Sequence, residues 1–553
     1  MKTTKRVFVA AIAAALLALP LTICAMDDTA ATKAAADKSS DKAADKSPEK
    51  AAPADVTTQG EVNAGGQHIA YSAVAGTITV GATDPQDAQL GMDGKPQADS
   101  QLALAAPKEP KDADPTARMS YFAYFKKDAK AEERPITFFY NGGPGAATVW
   151  LHMGSLGPKH VVTDTDTHLP AAPYKMVDNA NSLLDVSDLV FIDMPGTGFG
   201  RLTGKDPEKA FWGIDEDANA FARFIVRFTT KYNRWNSPKF IFGESYGTTR
   251  SAVLADILEN NKSMDLNGVI LLSQIFNFTT DIDFPMGNPG VDLPYVLALP
   301  TYAATAWYHK KLPTQPAALE PFLTEVEEYT NGPYAHALAL GTDIGAEEKQ
   351  AVAEKLHTYT GLPVAYLLKA NLRVSGGEFE KTLQDDQDIT TGRLDTRFSG
   401  PSIDPLSQFA DYDPQSSAIS SAYVSLFNDY VRRDLKYGEG QTYLPEAQFG
   451  TAQWDFKHRS NPVSVNVAPD LAEAMKTNPR LKVMVNGGYY DLATPFFAAQ
   501  YEEKHLPIPQ SLAKNIEYDW YESGHMVYVR DESLKQLHDR VAAFITKTDK
   551  GGE

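Results

Sequence analysis

The chain has 553 residues, and its 71 acidic and 52 basic side chains give a net charge of −19. This acidity argues against nucleic acid as a partner, because binding phosphates requires clustered lysine and arginine. Cys24 is the one cysteine in the sequence. A chain cleaved after residue 25 therefore has no internal disulfide, and its stability must come from its hydrophobic core.

The first 25 residues have the pattern of a secretory signal peptide. Lys2, Lys5 and Arg6 precede an apolar run from residue 7 to residue 21. Two alternatives stay open: a membrane anchor, for which about 20 apolar residues are needed, and a lipid attached to Cys24. Residues 26–56 are rich in Ala, Lys, Asp, Ser and Pro, which predicts a disordered spacer. We therefore expect export to the periplasm or secretion, with no membrane span after processing.

After the spacer, the hydrophobic pattern predicts alternating strands and helices. The predicted strands cover residues 67–80, 119–125, 136–140, 188–193, 239–242, 266–272, 481–485 and 516–521, and the predicted helices cover residues 214–232, 248–259 and 533–546. Residues 294–437 are mainly helical without a clear sheet strand, which we interpret as an inserted cap; a separate domain is the alternative. Residues 57–293 and 438–553 are then predicted to form one mostly parallel α/β sheet.

Gly243-Glu-Ser-Tyr-Gly247 lies between a predicted strand and a predicted helix. A G-x-S-x-G string in this context predicts a sharp turn that lifts the Ser245 hydroxyl above the sheet. A serine nucleophile needs a base, and the base needs an orienting carboxylate. Asp491 and His525 follow the strands at 481–485 and 516–521, in the chain order Ser, Asp, His of α/β-hydrolases. We therefore predict a Ser245, Asp491 and His525 catalytic triad.

We expect neither a metal nor a cofactor. The sequence has no His-x-x-x-His string and no cysteine beyond Cys24 to bind a metal. The loop Asn141-Gly-Gly-Pro-Gly145 lacks the lysine and the serine or threonine of a nucleotide-binding loop.

Five segments resemble the serine carboxypeptidase family, the S10 peptidases. In chain order they are Asn141-Gly-Gly-Pro-Gly145 with Gly157-Pro158, Asp193-x-Pro-x-x-Gly198-Phe199, Gly243-Glu-Ser-Tyr-Gly247, the Asp491 loop and Gly524-His525-Met526. The likeness runs from residue 136 to the C-terminus. It implies an α/β-hydrolase fold and a serine-type carboxypeptidase that releases C-terminal residues from peptides with a free C-terminus, through an acyl-enzyme on Ser245.

The resemblance also implies three groups of further site residues. They are Asn141 and Glu244 for binding the substrate carboxylate, the backbone N–H groups of Gly143 and Tyr246 for the oxyanion hole, and Met526 and Phe139 for the pocket of the leaving residue. A protonated Glu244 donates a hydrogen bond to a carboxylate, whereas an ionised Glu244 repels it. The resemblance therefore predicts peptide binding that is favoured at acid pH.

The sequence departs from the family pattern at several positions. Phe139 stands where the family has a tryptophan, Ala146 where it has a cysteine, and Ser155 where it has an acidic residue. Thr248 stands where the family commonly has a glycine, and Arg250 where it commonly has an aromatic residue. The changes at 139 and 155 weaken the inferred carboxylate-binding network. An esterase or an acyltransferase with the same triad is therefore one alternative, and a catalytically silent binding protein is another. The oligomeric state and the preferred substrate side chains are not predicted.

Overall fold

A computed structural model describes residues 54–97, 112–449, 453–459 and 465–549. The predicted signal peptide, Cys24 and nearly all of the predicted spacer lie outside the described residues. The strands are β1 Val56–Ala64, β2 Gln67–Gly81, β3 Thr116–Lys126, β4 Ile136–Tyr140, β5 Lys159–Val161, β6 Met176–Asp178, β7 Asp188–Ile192, β8 Arg201–Thr203, β9 Lys239–Glu244, β10 Gly268–Leu272, β11 Ile389–Thr391, β12 Ser399–Pro401, β13 Lys482–Gly488 and β14 Ile516–Tyr521.

The described residues also form α-helices, some of which alternate with these strands while others lie in the insertion. They are α1 Asp84–Asp87, α2 Val149–Gly154, α3 Pro207–Phe211, α4 Ile214–Lys231, α5 Tyr246–Asp256, α6 Leu293–Tyr308, α7 Leu319–Tyr329, α8 Ala335–Ala339, α9 Ala346–Thr360, α10 Val364–Lys369, α11 Gly376–Thr382, α12 Pro414–Arg433, α13 Ala468–Thr477, α14 Phe496–Lys504, α15 Gln510–Ala513 and α16 Asp531–Asp549. Among the described helices, none is both long and apolar enough to cross a membrane.

Ten strands of the described residues form one sheet, in the order β1-β2-β3-β7-β4-β9-β10-β13-β14, with β8 paired to β3. Strands β1, β2 and β3 pair antiparallel, and β3 is also antiparallel to β7. From β7 to β14 each neighbouring pair is parallel, because helices make the crossover connections. This sheet confirms the predicted α/β class with a mostly parallel sheet.

Helices cover both faces of the sheet, and the pleat of each strand divides its side chains between two cores. On β4, Phe138 and Tyr140 pack in the core that includes residues of α4, α5 and α13, whereas Phe139 packs in the opposite core with residues of α2, α12 and α16. Helix α4 shows why such a segment is helical. Its first turn carries three acidic residues that favour a helix N-terminus, and its apolar stripe, with Phe221 and Phe228, faces the sheet.

The insertion between β10 and β13 has two parts. Residues of α6 to α11 form a third hydrophobic core together with α14, whereas α12 packs directly on the sheet. The described part of the insertion is mainly helical, and its strands β11 and β12 pair antiparallel with each other, outside the ten-stranded sheet. These three-residue strands are too short to leave a period-two signal in the sequence.

The parallel strands all end at one edge of the sheet, where open α/β sheets place their ligands. Asn141 follows β4, Ser245 follows β9, Asp491 comes three residues after β13, and His525 comes four residues after β14. Residues far apart in sequence are therefore brought to one edge of the fold.

Candidate active site

Ser245 lies in a strained turn between β9 and α5. Its backbone angles are φ 60° and ψ −131°, a conformation that residues other than glycine rarely adopt. A Cβ at Gly243 would lie 2.2 Å from the main-chain oxygen of Gly247, so this turn requires glycine there. Ser245 itself is partly exposed. This strand, turn and helix have the geometry of a nucleophile elbow, and with the parallel sheet they identify the α/β-hydrolase fold.

Asp491 and His525 form a buried pair at the same edge of the sheet. His525 Nδ1 donates to Asp491 Oδ2 over 2.8 Å. Thr494, which sequence analysis missed, donates to the same carboxylate from its hydroxyl at 2.7 Å and from its main-chain N–H at 2.9 Å. These bonds orient the carboxylate, and the carboxylate in turn fixes the imidazole through Nδ1, which makes Nε2 the nitrogen that can serve as a base.

Charges around His525 favour its protonated form. Burial opposes a charge on the imidazole, but the attraction and hydrogen bond of Asp491 and the nearby Glu244 outweigh burial and raise the pKa of His525. Arg393 acts in the opposite direction.

The elbow and the histidine loop are both attached to the end of β10. Ser245 N donates to Leu272 O over 3.0 Å. The next residue, Ser273, donates from its hydroxyl to His525 O over 2.7 Å. Two consecutive residues therefore fix the main chain that carries Ser245 and His525.

The loop at 141–145 packs against the elbow. A Cβ at Gly142 would lie 2.4 Å from the main-chain nitrogen of Tyr246, so only glycine allows this approach. Gly143 has φ 107° and is exposed at this edge. The structure therefore places the two predicted oxyanion donors, Gly143 and Tyr246, on adjoining segments.

Glu244 is buried beside the nucleophile and is held by Tyr528. The Tyr528 hydroxyl donates to Glu244 Oε2 over 2.9 Å. Burial raises the pKa of Glu244 to about 7, although His525, Tyr528 and Asn141 each favour its ionised form. The structure thus brings Glu244 and Asn141 together as predicted. Tyr528 was missed because nothing in the sequence near His525 marks it as a partner of a residue 284 positions earlier.

Two residues that the resemblance placed near the substrate differ in their surroundings. Met526 is partly buried, and Gln415 Nε2 donates to its sulfur over 3.4 Å, so a pocket role stays a prediction. Phe139 has no exposed surface and is stacked between Phe191 and Phe242, with ring centroids 4.8 and 5.0 Å away. The prediction that Phe139 lines a pocket is wrong, because its position on β4 points it into the core below α2.

Ser155 and Arg250, two departures from the family pattern, are both buried. Ser155 donates its hydroxyl to Leu151 O within the last turn of α2. Arg250 Nε donates to Asp217 Oδ2 over 2.6 Å, and its Nη1 donates to Asn141 O over 2.8 Å. Arg250 thus holds the main chain of the 141–145 loop through its hydrogen bond to Asn141 O.

A family model and several known proteins match parts of this chain. The family model described as serine carboxypeptidase matches residues 112–537. Serine carboxypeptidase-like 33 of Arabidopsis thaliana is 31% identical over 187 residues, which are 32% of this chain and 34% of that protein. A serine carboxypeptidase-like protein of Oryza sativa subsp. japonica is 27% identical over 152 residues, or 27% of this chain and 33% of that protein.

Pheromone-processing carboxypeptidase KEX1 of Yarrowia lipolytica is 24% identical over 154 residues, which cover 27% of this chain and 23% of KEX1. The chain thus aligns with about a third or less of the length of these relatives. Among solved structures, proline iminopeptidase of Mycobacterium smegmatis matches with a TM-score of 0.33 and 13% identity, over 79% of this chain and 97% of that one. The match of the family model over most of the described residues shows that this chain belongs to the serine carboxypeptidase family.

Proposed function

We propose that this chain is a serine-type carboxypeptidase that releases C-terminal residues from peptides. The observation that carries the proposal is the buried pair of His525 and Asp491, joined over 2.8 Å at the sheet edge where Ser245 occupies a strained elbow. A nucleophile, a base and an orienting carboxylate at one edge are the parts that acyl transfer requires.

The proposed reaction has two halves. Ser245 Oγ attacks the carbonyl carbon of the last peptide bond and gives its proton to His525 Nε2, while the N–H groups of Gly143 and Tyr246 stabilise the oxyanion. His525 passes that proton to the leaving nitrogen as the C–N bond breaks, which leaves an acyl-enzyme and a free amino acid. Water then loses a proton to His525 and attacks the ester, and Ser245 recovers its proton. Asp491 orients the imidazole and stabilises the imidazolium.

Glu244 gives the proposal its substrate class. Below its pKa of about 7, this side chain is neutral and donates to the C-terminal carboxylate of a peptide, next to the Asn141 amide. Above that pH an ionised Glu244 repels the carboxylate. His525, whose pKa is raised, must be neutral to accept the serine proton, so kcat falls toward acid pH. Peptide hydrolysis is therefore confined to a window between the acid limb of kcat and the alkaline rise of KM.

We expect Glu244→Gln to flatten the alkaline rise of KM for peptides and to leave KM for a matched ester little changed. Glutamine retains a hydrogen-bond donor and has no ionised form that could repel the substrate. The measurement is kcat and KM against pH for a peptide and for an ester that lacks a free carboxylate.

Glu502→Gln is a matched control, because burial raises the pKa of Glu502 to about 7 as well, and Glu502 accepts hydrogen bonds from Gln274 and Phe276 rather than from a residue of the triad. We expect this variant to keep the wild-type profile for the peptide. Identical profiles for both substrates in wild type and Glu244→Gln would contradict carboxylate recognition. The esterase or acyltransferase alternative would then be favoured.

We also propose that the chain is exported, on the basis of the basic and apolar pattern of residues 1–25. Protein isolated from its native host is expected to begin near residue 26, or at a lipid-modified Cys24. Mass spectrometry of the N-terminal peptide distinguishes these two forms. An intact N-terminus on protein from the cytosol would argue against export.

A further inference from the structure

One loop of the insertion contacts the loops that carry both Asp491 and His525. We call residues 392–397, between β11 and β12, the clamp segment. The main-chain oxygen of Leu394 accepts from His525 N over 2.7 Å, and that of Arg393 accepts from Leu492 N over 3.1 Å. The clamp segment thus bonds to the histidine itself and to the residue after Asp491.

The clamp segment also contains a buried ion pair. Arg397 Nε donates to Asp395 Oδ1 over 2.9 Å and its Nη2 donates to Oδ2 over 2.5 Å, and the two side chains are only 2% and 1% exposed. Asp395 Oδ2 accepts from Gly524 N over 3.1 Å, and Arg397 Nη2 donates to Ser523 Oγ over 3.2 Å. The ion pair is therefore bonded to the two residues that immediately precede His525.

Stability alone is a poor reason for this arrangement. Burying two charges removes them from water, and apolar residues of similar volume are often equally stable. What apolar residues lack is a donor and an acceptor directed at the chain on which His525 is carried. The close fit supports this reading, since a Cβ at Gly524 would lie 2.4 Å from the Cβ of Asp395.

We propose that Asp395 and Arg397 are positioning residues that hold His525 on Asp491 during acyl transfer, an inference that rests on the proposed function. The pair places His525 without changing the net charge around it. The other charged groups that act on His525 are Asp491, Glu244 and Arg393. Removing either member of the pair leaves one unpaired charge of known sign beside the histidine loop.

The test uses two substitutions of opposite charge effect, Asp395→Asn and Arg397→Met. Asp395→Asn leaves the Arg397 cation unpaired, which disfavours the imidazolium, so the acid limb of ester kcat/KM is expected to move to lower pH. Arg397→Met leaves the Asp395 anion unpaired, so the acid limb is expected to move to higher pH. We expect shifts of about half a pH unit or more, and losses of about 10- to 100-fold in kcat/KM at the optimum from misplacement of the base.

Arg234→Met is a control for the loss of a buried arginine from an ion pair, although Asp188 keeps its bond from Arg134 Nε over 3.0 Å. Arg234 pairs with Asp188 at 3% and 5% exposure, at the start of β7 and thus at the opposite edge of the sheet. This control is expected to be less stable but to keep the wild-type acid limb. Arg397→Lys, which keeps the positive charge, is expected to restore the acid limb to its wild-type pH.

Ser523→Ala tests the same contact if the neutralising variants do not fold, because it removes only the hydroxyl that Arg397 contacts. It is expected to lower kcat/KM by about threefold or more, and a wild-type value would count against the proposal. Acid limbs that stay in place, or that move in the same direction in both neutralising variants, would overturn the positioning role. A fluorophosphonate that fails to label wild-type Ser245 would overturn the proposed function and this inference together. If the wild type is labelled, a negative result in the variants contradicts only the positioning role of Asp395 and Arg397.

Discussion

Ser245→Ala is expected to lower turnover of both peptides and esters by at least about a thousandfold while leaving the fold intact. The substitution removes the nucleophile and nothing else from the elbow. The backbone of the turn is held by Ser245 N on Leu272 O and by Thr248 N on Ser245 O, bonds that alanine keeps. Initial rates at saturating substrate, together with circular dichroism and thermal melting of the variant, check the result.

Ser187→Ala is the matched control for this experiment. Ser187 is buried, whereas Ser245 is partly exposed. The Ser187 hydroxyl bonds Thr137 over 2.8 Å, and Ser187 lies at the opposite edge of the sheet, just before β7. We expect it to retain wild-type turnover. Near-wild-type rates in purified Ser245→Ala would remove Ser245 from the mechanism, because another group would then carry out the turnover.

The catalytic edge could be predicted from the sequence because its signals are local. Runs with few polar residues, such as 136–140 and 239–242, become fully buried parallel strands, and the residues that follow each run must then lie at one edge. The elbow motif at 243–247 is likewise recognised from the predicted strand just before it and the predicted helix just after it. Ser245, Asp491 and His525 could therefore be predicted as a triad without knowledge of tertiary contacts.

The supports of that edge could not be predicted, because they depend on pairs distant in sequence. Asp395 contacts Gly524, which is 129 positions away in the sequence, and Tyr528 contacts Glu244, which is 284 positions away. Sequence periodicity carries no information about such pairs. Strand β1 was missed for a different reason: it is mostly polar and pairs only with β2, so little of it is buried.

Phe139 shows where a resemblance misleads. Its position in the motif implied contact with the leaving residue, yet strand alternation decides the direction of its side chain. Phe138 and Tyr140 face one core of the sheet, so Phe139 must face the other. Counting along the predicted strand would have identified Phe139 as a core residue.

Arg250→Leu is expected to destabilise the protein by about 3–5 kcal/mol, the cost of leaving a buried carboxylate without its partner. Arg250 and Asp217 are both fully buried, and Arg250 also lies 4.2 Å from the centroid of the Phe221 ring. Burial already raises the pKa of Asp217, against the attraction of Arg250, and removing Arg250 raises that pKa further. The folded state then holds a proton that the unfolded state releases, so the destabilisation grows as pH rises and shrinks toward acid pH.

The double variant Arg250→Leu with Asp217→Leu separates the ion pair from the space it fills. With both charges gone, apolar side chains fill much of the same volume, and most of the lost stability is expected to return at neutral pH. Urea unfolding of the wild type, the single variant and the double variant at acid and neutral pH measures both effects. A double variant as unstable as the single one would mean that the contact of Arg250 with Asn141 O, over 2.8 Å, stabilises the fold more than the charge pair does. The 141–145 loop would then depend on Arg250 directly, and the single variant should lose stability equally at acid and neutral pH.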